Sequence, residues 1–233
     1  MSDITVLDFS QIYEQETFYE EREVRWVDCT DIRGTNCYCD QDAMRLIKQR
    51  TSEISPEGIH FIDAGNYHYA SGIWMEKIAQ PFDLVLIDHH PDTQIPVFDG
   101  LISCGGWVRQ FMMNNDKIRD AVLIDASPKL CETVPPHVKL LRRQEIKPGI
   151  SWEKERLPIY ISVDKDVLDR QWARTDWTQG TMCLVELQKI LQILMKEYEV
   201  IGIDICGEET DTARTEDRII NEVSNQSLLR TIM

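Results

Sequence analysis

Two short runs of acids and histidines carry most of the chemistry visible in this chain. Asp88-His89-His90-Pro91-Asp92 follows the apolar run Leu84 to Ile87. In extended backbone, residues two apart face the same way, so Asp88, His90 and Asp92 can converge on one point with His89 turned aside. Ser162-Val163-Asp164-Lys165-Asp166 repeats the device: Asp164 and Asp166 share a face and Lys165 points away. Four carboxylates and one imidazole crowded together repel one another unless a cation sits among them. Mixed oxygen and imidazole donors suit a borderline-hard divalent ion such as manganese. His68, in Asp63-Ala64-Gly65-Asn66-Tyr67-His68, stands just past another apolar run and is a natural sixth ligand. The competing reading is a set of Asp caps with loop histidines. Two such motifs on strands of one sheet favour a metal. His60 and His137 have no comparable context.

The elements that must position these groups follow from a recurring pattern. Short apolar runs each end in Asp: Val6-Leu7-Asp8, Trp26-Val27-Asp28, Phe61-Ile62-Asp63, Leu84 to Asp88, Val122 to Asp125, Ile159 to Asp164 and Val200 to Asp204. They are too short for helices and rich in β-branched residues, as strands buried on both faces must be. Helical spacing appears over Ala43 to Ile47, Ser71 to Ala79 and Trp107 to Met113. It is clearest in the stripe Leu184, Leu187, Ile190, Leu191 and Leu194, with Thr181 as the expected cap. A last helix is expected from about Glu216 to Ile232, with Glu216 and Asp217 in its first turn. Strands alternating with helices predict an α/β fold, three-layer α/β/α with a mostly parallel central sheet. Ligands of such sheets bind beyond the carboxyl ends of the strands. For Asp8, Asp28 and Asp125 the expected role is only to terminate strands. Trp152, Trp172 and Trp177 flank the second motif and read as core or cover residues. The loop from Arg170 to Thr181 is placed to shape a pocket entrance.

Composition narrows the partners. The chain has 233 residues, 40 acidic against 25 basic, a formal net charge of −15. That excess argues against nucleic-acid binding, which needs a basic stripe, and against docking on anionic lipid. No signal peptide is expected at the N-terminus, and no apolar run approaches the roughly 18 residues of a membrane helix. Seven scattered cysteines fit a reduced, cytoplasmic setting. Cys37 and Cys39 lack the second ligand pair of a zinc knuckle.

The motifs, in order, resemble those of the arginase/agmatinase (ureohydrolase) superfamily of binuclear manganese enzymes. The family's Asp-Ala-His-x-Asp is similar to Asp88-His89-His90-Pro91-Asp92. Its Ser-x-Asp-x-Asp-x-x-Asp-Pro is similar to Ser162 to Asp169, with Arg170 where Pro is usual. Its Gly-Gly-Asp-His-Ser loosely resembles Gly65-Asn66-Tyr67-His68-Tyr69, and Gly202-Ile203-Asp204-Ile205 resembles the strand before its substrate-binding Glu. The resemblance implies one arginase-like metallohydrolase domain over residues 1–233, with an arginase/deacetylase-like fold and two Mn2+ ions per chain. His68, Asp88, Asp92 and Asp164 would hold one ion, and Asp88, His90, Asp164 and Asp166 the other. A hydroxide bridging them would attack a guanidino or amide carbon. The implied partner is a small-molecule substrate, cationic given the charge, and a homo-oligomer is implied by resemblance alone.

Departures from the family pattern bear on the substrate. The family's substrate-gripping Glu aligns with Gly207, and a shift of one residue would bring in Glu208, with Glu209 next. Glu208 is accordingly the candidate catalytic and substrate-binding acid, and Glu209 a second substrate contact. Ser127 stands where arginases carry an acid for the substrate amino group. No histidine occupies the expected proton-shuttle region, Ser103 to Trp107. His89 is the remaining catalytic candidate, since the His89-His90 pair resembles the tandem histidines of deacetylases. Two alternatives stay open: a mononuclear deacetylase-like amidohydrolase using Zn2+ or another divalent ion, and a catalytically silent metal- or ligand-binding protein of the same fold.

Overall fold

The computed structural model describes residues 3–132, 134–135, 137–210 and 215–233. Among these residues, eight strands form one sheet in which every pairing is parallel. They are β1 (Ile4–Asp8), β2 (Val24–Asp28), β4 (Gly58–Ala64), β5 (Phe82–Ile87), β7 (Ile118–Ile124), β8 (Val138–Leu141), β9 (Ile159–Asp164) and β10 (Val200–Glu208), in spatial order β2-β1-β4-β10-β9-β5-β7-β8. Two two-residue strands, β3 (Tyr38–Cys39) and β6 (Ile102–Ser103), pair antiparallel outside it.

Helices cover both faces, as the continuous apolar strands require. On one face lie α1 (Gln41–Arg50), α2 (Ser71–Met75) and α3 (Trp107–Asn114); on the other, α4 (Leu184–Glu197) and α5 (Thr215–Ile232). The period of two divides β5 between them: Leu84 and Leu86 join the core under α1 to α3, while Val85 and Ile87 join the core under α4 and α5. This is the three-layer arrangement the sequence predicts, and no helix among the described residues is long and apolar enough to cross a membrane.

Three local expectations change. The cap of α4 is Cys183 rather than Thr181, because Glu186 reaches back to accept the Cys183 backbone N–H at 2.9 Å. Asp204 lies inside β10, which runs on to Glu208, so it is a mid-strand acid rather than a strand terminator. Strand β8 carried no signal: Val138-Lys139-Leu140-Leu141 is short, sits at a sheet edge and leaves Leu140 exposed.

Strand-end acids take the structural roles expected of them. Asp8 Oδ1 accepts the Gln11 N–H at 2.7 Å, Asp28 Oδ1 accepts the Thr30 N–H at 2.9 Å, and Asp125 pairs with the Arg143 guanidinium at 2.9 Å. Asp63 ties the β1 exit to β4 by accepting the N–H groups of Phe9 and Ser10.

Candidate metal centre

The four central strands, in the order β4-β10-β9-β5, bring their carboxyl ends together at one place. The short turn after β4 carries His68, β9 ends in Asp164 with Asp166 next, and β5 is followed at once by Asp88. At Asp92 the backbone turns left-handed, with φ +47°, which swings that carboxylate back toward the others.

His68 is the centre of the arrangement. Its Nδ1 lies 3.1 Å from Asp92 Oδ2, 3.4 Å from Asp88 Oδ2 and 3.5 Å from Asp164 Oδ2. Its Nε2 lies 2.8 Å from Ser162 Oγ. That hydroxyl gives its single proton to Asp204 Oδ1 at 2.6 Å, so it must accept from Nε2–H. With Nε2–H spent on Ser162, Nδ1 is the ring atom turned to three carboxylate oxygens. This is how a metal-ligating imidazole is oriented. His68 Nδ1 and Asp88 Oδ2 are both buried without a hydrogen-bond partner. Leaving such groups unmet costs about 1–3 kcal/mol each. A divalent cation satisfies both at once, so the donor set fits one.

A second group overlaps the first at Asp88. His90 Nδ1 sits 2.7 Å from Asp166 Oδ2 and 3.7 Å from Asp88 Oδ1. The donor atoms of His68, Asp88 and Asp92 lie within 4.8 Å of one another, as do those of Asp88, His90 and Asp166, and those of His68, Asp164 and Cys206. The structure thus brings all six sequence-predicted ligands together. Asp164 Oδ1 also accepts the Asp166 N–H at 2.8 Å, and Trp107 Nε1–H donates to Asp92 Oδ2 at 2.7 Å.

Electrostatics agree with the geometry. Burial, reinforced by Asp166, pushes the Asp164 carboxyl up to about 6. Burial and the Asp88 charge push Asp166 up to about 8. Burial alone would depress His90, but Asp166 and Asp88 outweigh it and push it up to about 11. Acids held this close resist ionising together; protons, the His90 charge or a bound cation relieve them, and a divalent cation does so for several acids at once.

The cluster opens into a cavity of about 170 Å³. Trp177 forms part of its wall rather than the core: its ring meets His90 edge-on at 5.9 Å and its Nε1–H donates to Asn66 Oδ1 at 2.8 Å. Trp152 and Trp172 pack with the core, as expected.

The other candidates lie elsewhere. Glu208 is fully buried, ion-paired with Lys165 Nζ, and its Oε1 accepts from Asn225 Nδ2 at 2.9 Å. Gly207 explains why. Its φ of +97° breaks the alternation of β10, so Glu208 joins Asn225 of α5 instead of following Cys206 to the Asp164 side. A Cβ at Gly207 would stand 2.4 Å from Asp164 Oδ1. Glu209 is half-buried and lies outside the cavity wall. Ser127 meets the site region only through its N–H, which donates to the His89 carbonyl at 2.9 Å. His89 donates its own N–H to Asp166 Oδ1 at 3.0 Å, and burial and His90 lower its basicity. Neither lines the cavity.

Sequence reasoning missed the contacts of Cys206 with Asp164, of Trp107 with Asp92 and of Asp204 with Ser162. Ser162 was legible, two residues before Asp164 on the same strand face. Cys206 was not, because it meets Asp164 only through the register of β10 against β9.

No protein-family model matches the chain. An uncharacterized protein of Thermotoga maritima is 28% identical over 217 residues, covering 88% of this chain and 79% of its own length. Among solved structures, an arginase from Bacillus cereus superimposes with a TM-score of 0.72 at 11% identity, covering 100% of this chain and 98% of its own. A proclavaminate amidinohydrolase from Streptomyces clavuligerus gives 0.70 at 14%, covering 100% and 92%. A formimidoylglutamase from Bacillus subtilis gives 0.67 at 15%, covering 99% and 86%. At these identities the likeness is one of fold: the chain has the arginase-like α/β fold.

Proposed function

We propose that this chain is a metal-dependent hydrolase of non-peptide C–N bonds, of the ureohydrolase kind, in which residues 1–233 act as one domain. His68, Asp88, Asp92 and Asp164 hold one divalent cation, and Asp88, His90, Asp164 and Asp166 hold the other, with Mn2+ the ion the resemblance implies. The observation that carries this reading is the buried, unpartnered His68 Nδ1 facing three carboxylate oxygens at 3.1–3.5 Å. Overlap of two donor groups at Asp88 favours two ions over one.

Bound there, such cations supply Lewis acidity toward water and toward a trigonal carbon. The chain's own residues do the rest. Ser162 and Asp204 lock the His68 tautomer and ring orientation. Trp107 fixes Asp92, and the backbone N–H of His89 fixes Asp166. Trp177 walls the cavity and limits the water around a bound substrate. Gln94 and Ser103 are uncharged polar wall residues suited to hydrogen-bonding a guanidino or amide group.

Metal analysis of protein loaded with Mn2+ tests the base of the proposal: about two ions per chain are expected, and none bound would overturn it. Asp164→Ala should lose both ions. Release of urea, ammonia or carboxylate from a panel of guanidines and acylated amines then tests the activity. Silence of the loaded protein across that panel would replace the hydrolase with a binding role.

A further inference from the structure

We infer that Cys206 is a thiolate ligand of the cation on the His68 side, an inference that rests on the metal centre proposed above. Cys206 pairs with Asp164 in the register of β10 against β9. Its Sγ lies 3.3 Å from Asp164 Oδ2, the same oxygen that lies 3.5 Å from His68 Nδ1. These three donors stand within 4.8 Å of one another, all buried.

The distances have a simple meaning. Metal bonds of about 2.0–2.3 Å at angles of about 90–110° place neighbouring donors about 2.8–3.8 Å apart. The Asp164–Cys206 separation, across which the thiol S–H donates to the carboxylate, falls in that interval like those around His68 Nδ1, so a cation replacing the thiol proton needs little movement of these donors. An ordinary core thiol turns its sulfur to apolar neighbours; this one turns it to a carboxylate and an imidazole. Gly207 permits the approach, since any Cβ there would collide with Asp164. Cys37 and Cys104 also border the cavity but belong to none of the donor groups.

The chemical consequence is selectivity. A thiolate is a soft donor and shifts its site from Mn2+ toward Zn2+, Co2+ or Fe2+. The group of Asp88, His90 and Asp166 contains only oxygen and imidazole donors and keeps the harder preference. The two positions would then differ in metal.

Cobalt absorption tests this directly. Chelator-stripped protein is titrated anaerobically with Co2+, with bound metal counted. A thiolate-to-cobalt charge-transfer band in the near ultraviolet is expected for the wild type. It should be lost in Cys206→Ser and Cys206→Ala and kept in Cys37→Ser and Cys104→Ser. Cobalt bound by the wild type without that band overturns the inference alone, as does a band that survives in both Cys206 variants. No cobalt uptake at all sinks the metal centre and this inference with it.

Discussion

The histidines of this chain divide by what surrounds them. His68 and His90 face carboxylates and are turned into potential ligands. His60 shows the opposite outcome. It is buried in β4, stacked on Trp74 with centroids 4.0 Å apart, its two ring nitrogens 3.1 Å from Tyr160 Oη and 3.2 Å from the Ser55 carbonyl. Burial holds its pKa near 3, well below the ordinary 6.5, with the Ser55 bond opposing only in part. The folded chain therefore refuses a proton that the unfolded chain accepts below about pH 6.5. Stability supplied by neutral His60 is complete above that pH and is lost as pH falls toward 3. From pH 7 to pH 5 the loss is about 2 kcal/mol. Urea denaturation at the two pH values should show a drop that is smaller by this amount in His60→Gln; equal drops in the two proteins would exclude the linkage. In the sequence His60 lies inside its apolar run and His68 just past the end of one, but that placement does not name their partners. The difference lies in the partners across the fold.

At the scale of elements, the exit of β9 does two jobs with three residues. Asp164 closes β9, and a tight 3-10 turn over Lys165–Val167 carries Asp166 to the cation site and leaves Lys165 on the opposite side, the separation its sequence position predicts. There Lys165 is completely buried, paired with Glu208 and held at 2.9 Å by Asn225 Oδ1 of α5. Asn225 in turn donates to Glu16 at 2.8 Å, and burial with the neighbouring Glu208 charge pushes the Glu16 carboxyl up to about 9. The pair braces the metal strand against α5. Removing one partner leaves a buried charge alone, which typically costs about 3–5 kcal/mol. Lys165→Met should lose that much in chemical denaturation, and Lys165→Met combined with Glu208→Gln should lose clearly less. If the double variant is as unstable as the single, the ion pair is not what Lys165 supplies. In the same strand pair Gly207→Ala meets both a left-handed φ and Asp164 Oδ1. Such strain costs about 1–3 kcal/mol, and weaker metal binding should accompany the lower denaturation midpoint; unchanged binding would mean that Asp164 tolerates the displacement. The expected substrate role of Glu208 was read from chain position alone, and one glycine turns that side chain to the far face.

At the scale of the molecule, the sheet gathers ligands from β4, β5 and β9, segments spread over about a hundred residues, against their mutual repulsion. Folding without cations bears that repulsion, so binding should feed directly into stability. A divalent ion at about a hundred times its Kd should stabilise the fold by about 2.7 kcal/mol. Thermal melting with added Mn2+ or Zn2+ should rise over melting with chelator, and the rise should vanish in Asp164→Ala. A rise that persists in that variant would place the binding elsewhere. The sequence alone determined the layered parallel sheet, because continuous apolar runs and helical spacing are local periodicities that need no partner to be recognised. It also determined the six candidate ligands, because each stands at or within a few residues of the end of an apolar run, a local pattern that needs no partner to be recognised. Only the tertiary structure decided the neighbours of those ligands: the Ser162–Asp204 support of His68, the thiol of Cys206 beside Asp164, the tryptophan wall, and the withdrawal of Glu208 to Lys165. Each depends on which strands lie side by side and in what register. That is set by the packing of the whole core, not by any stretch of chain read on its own.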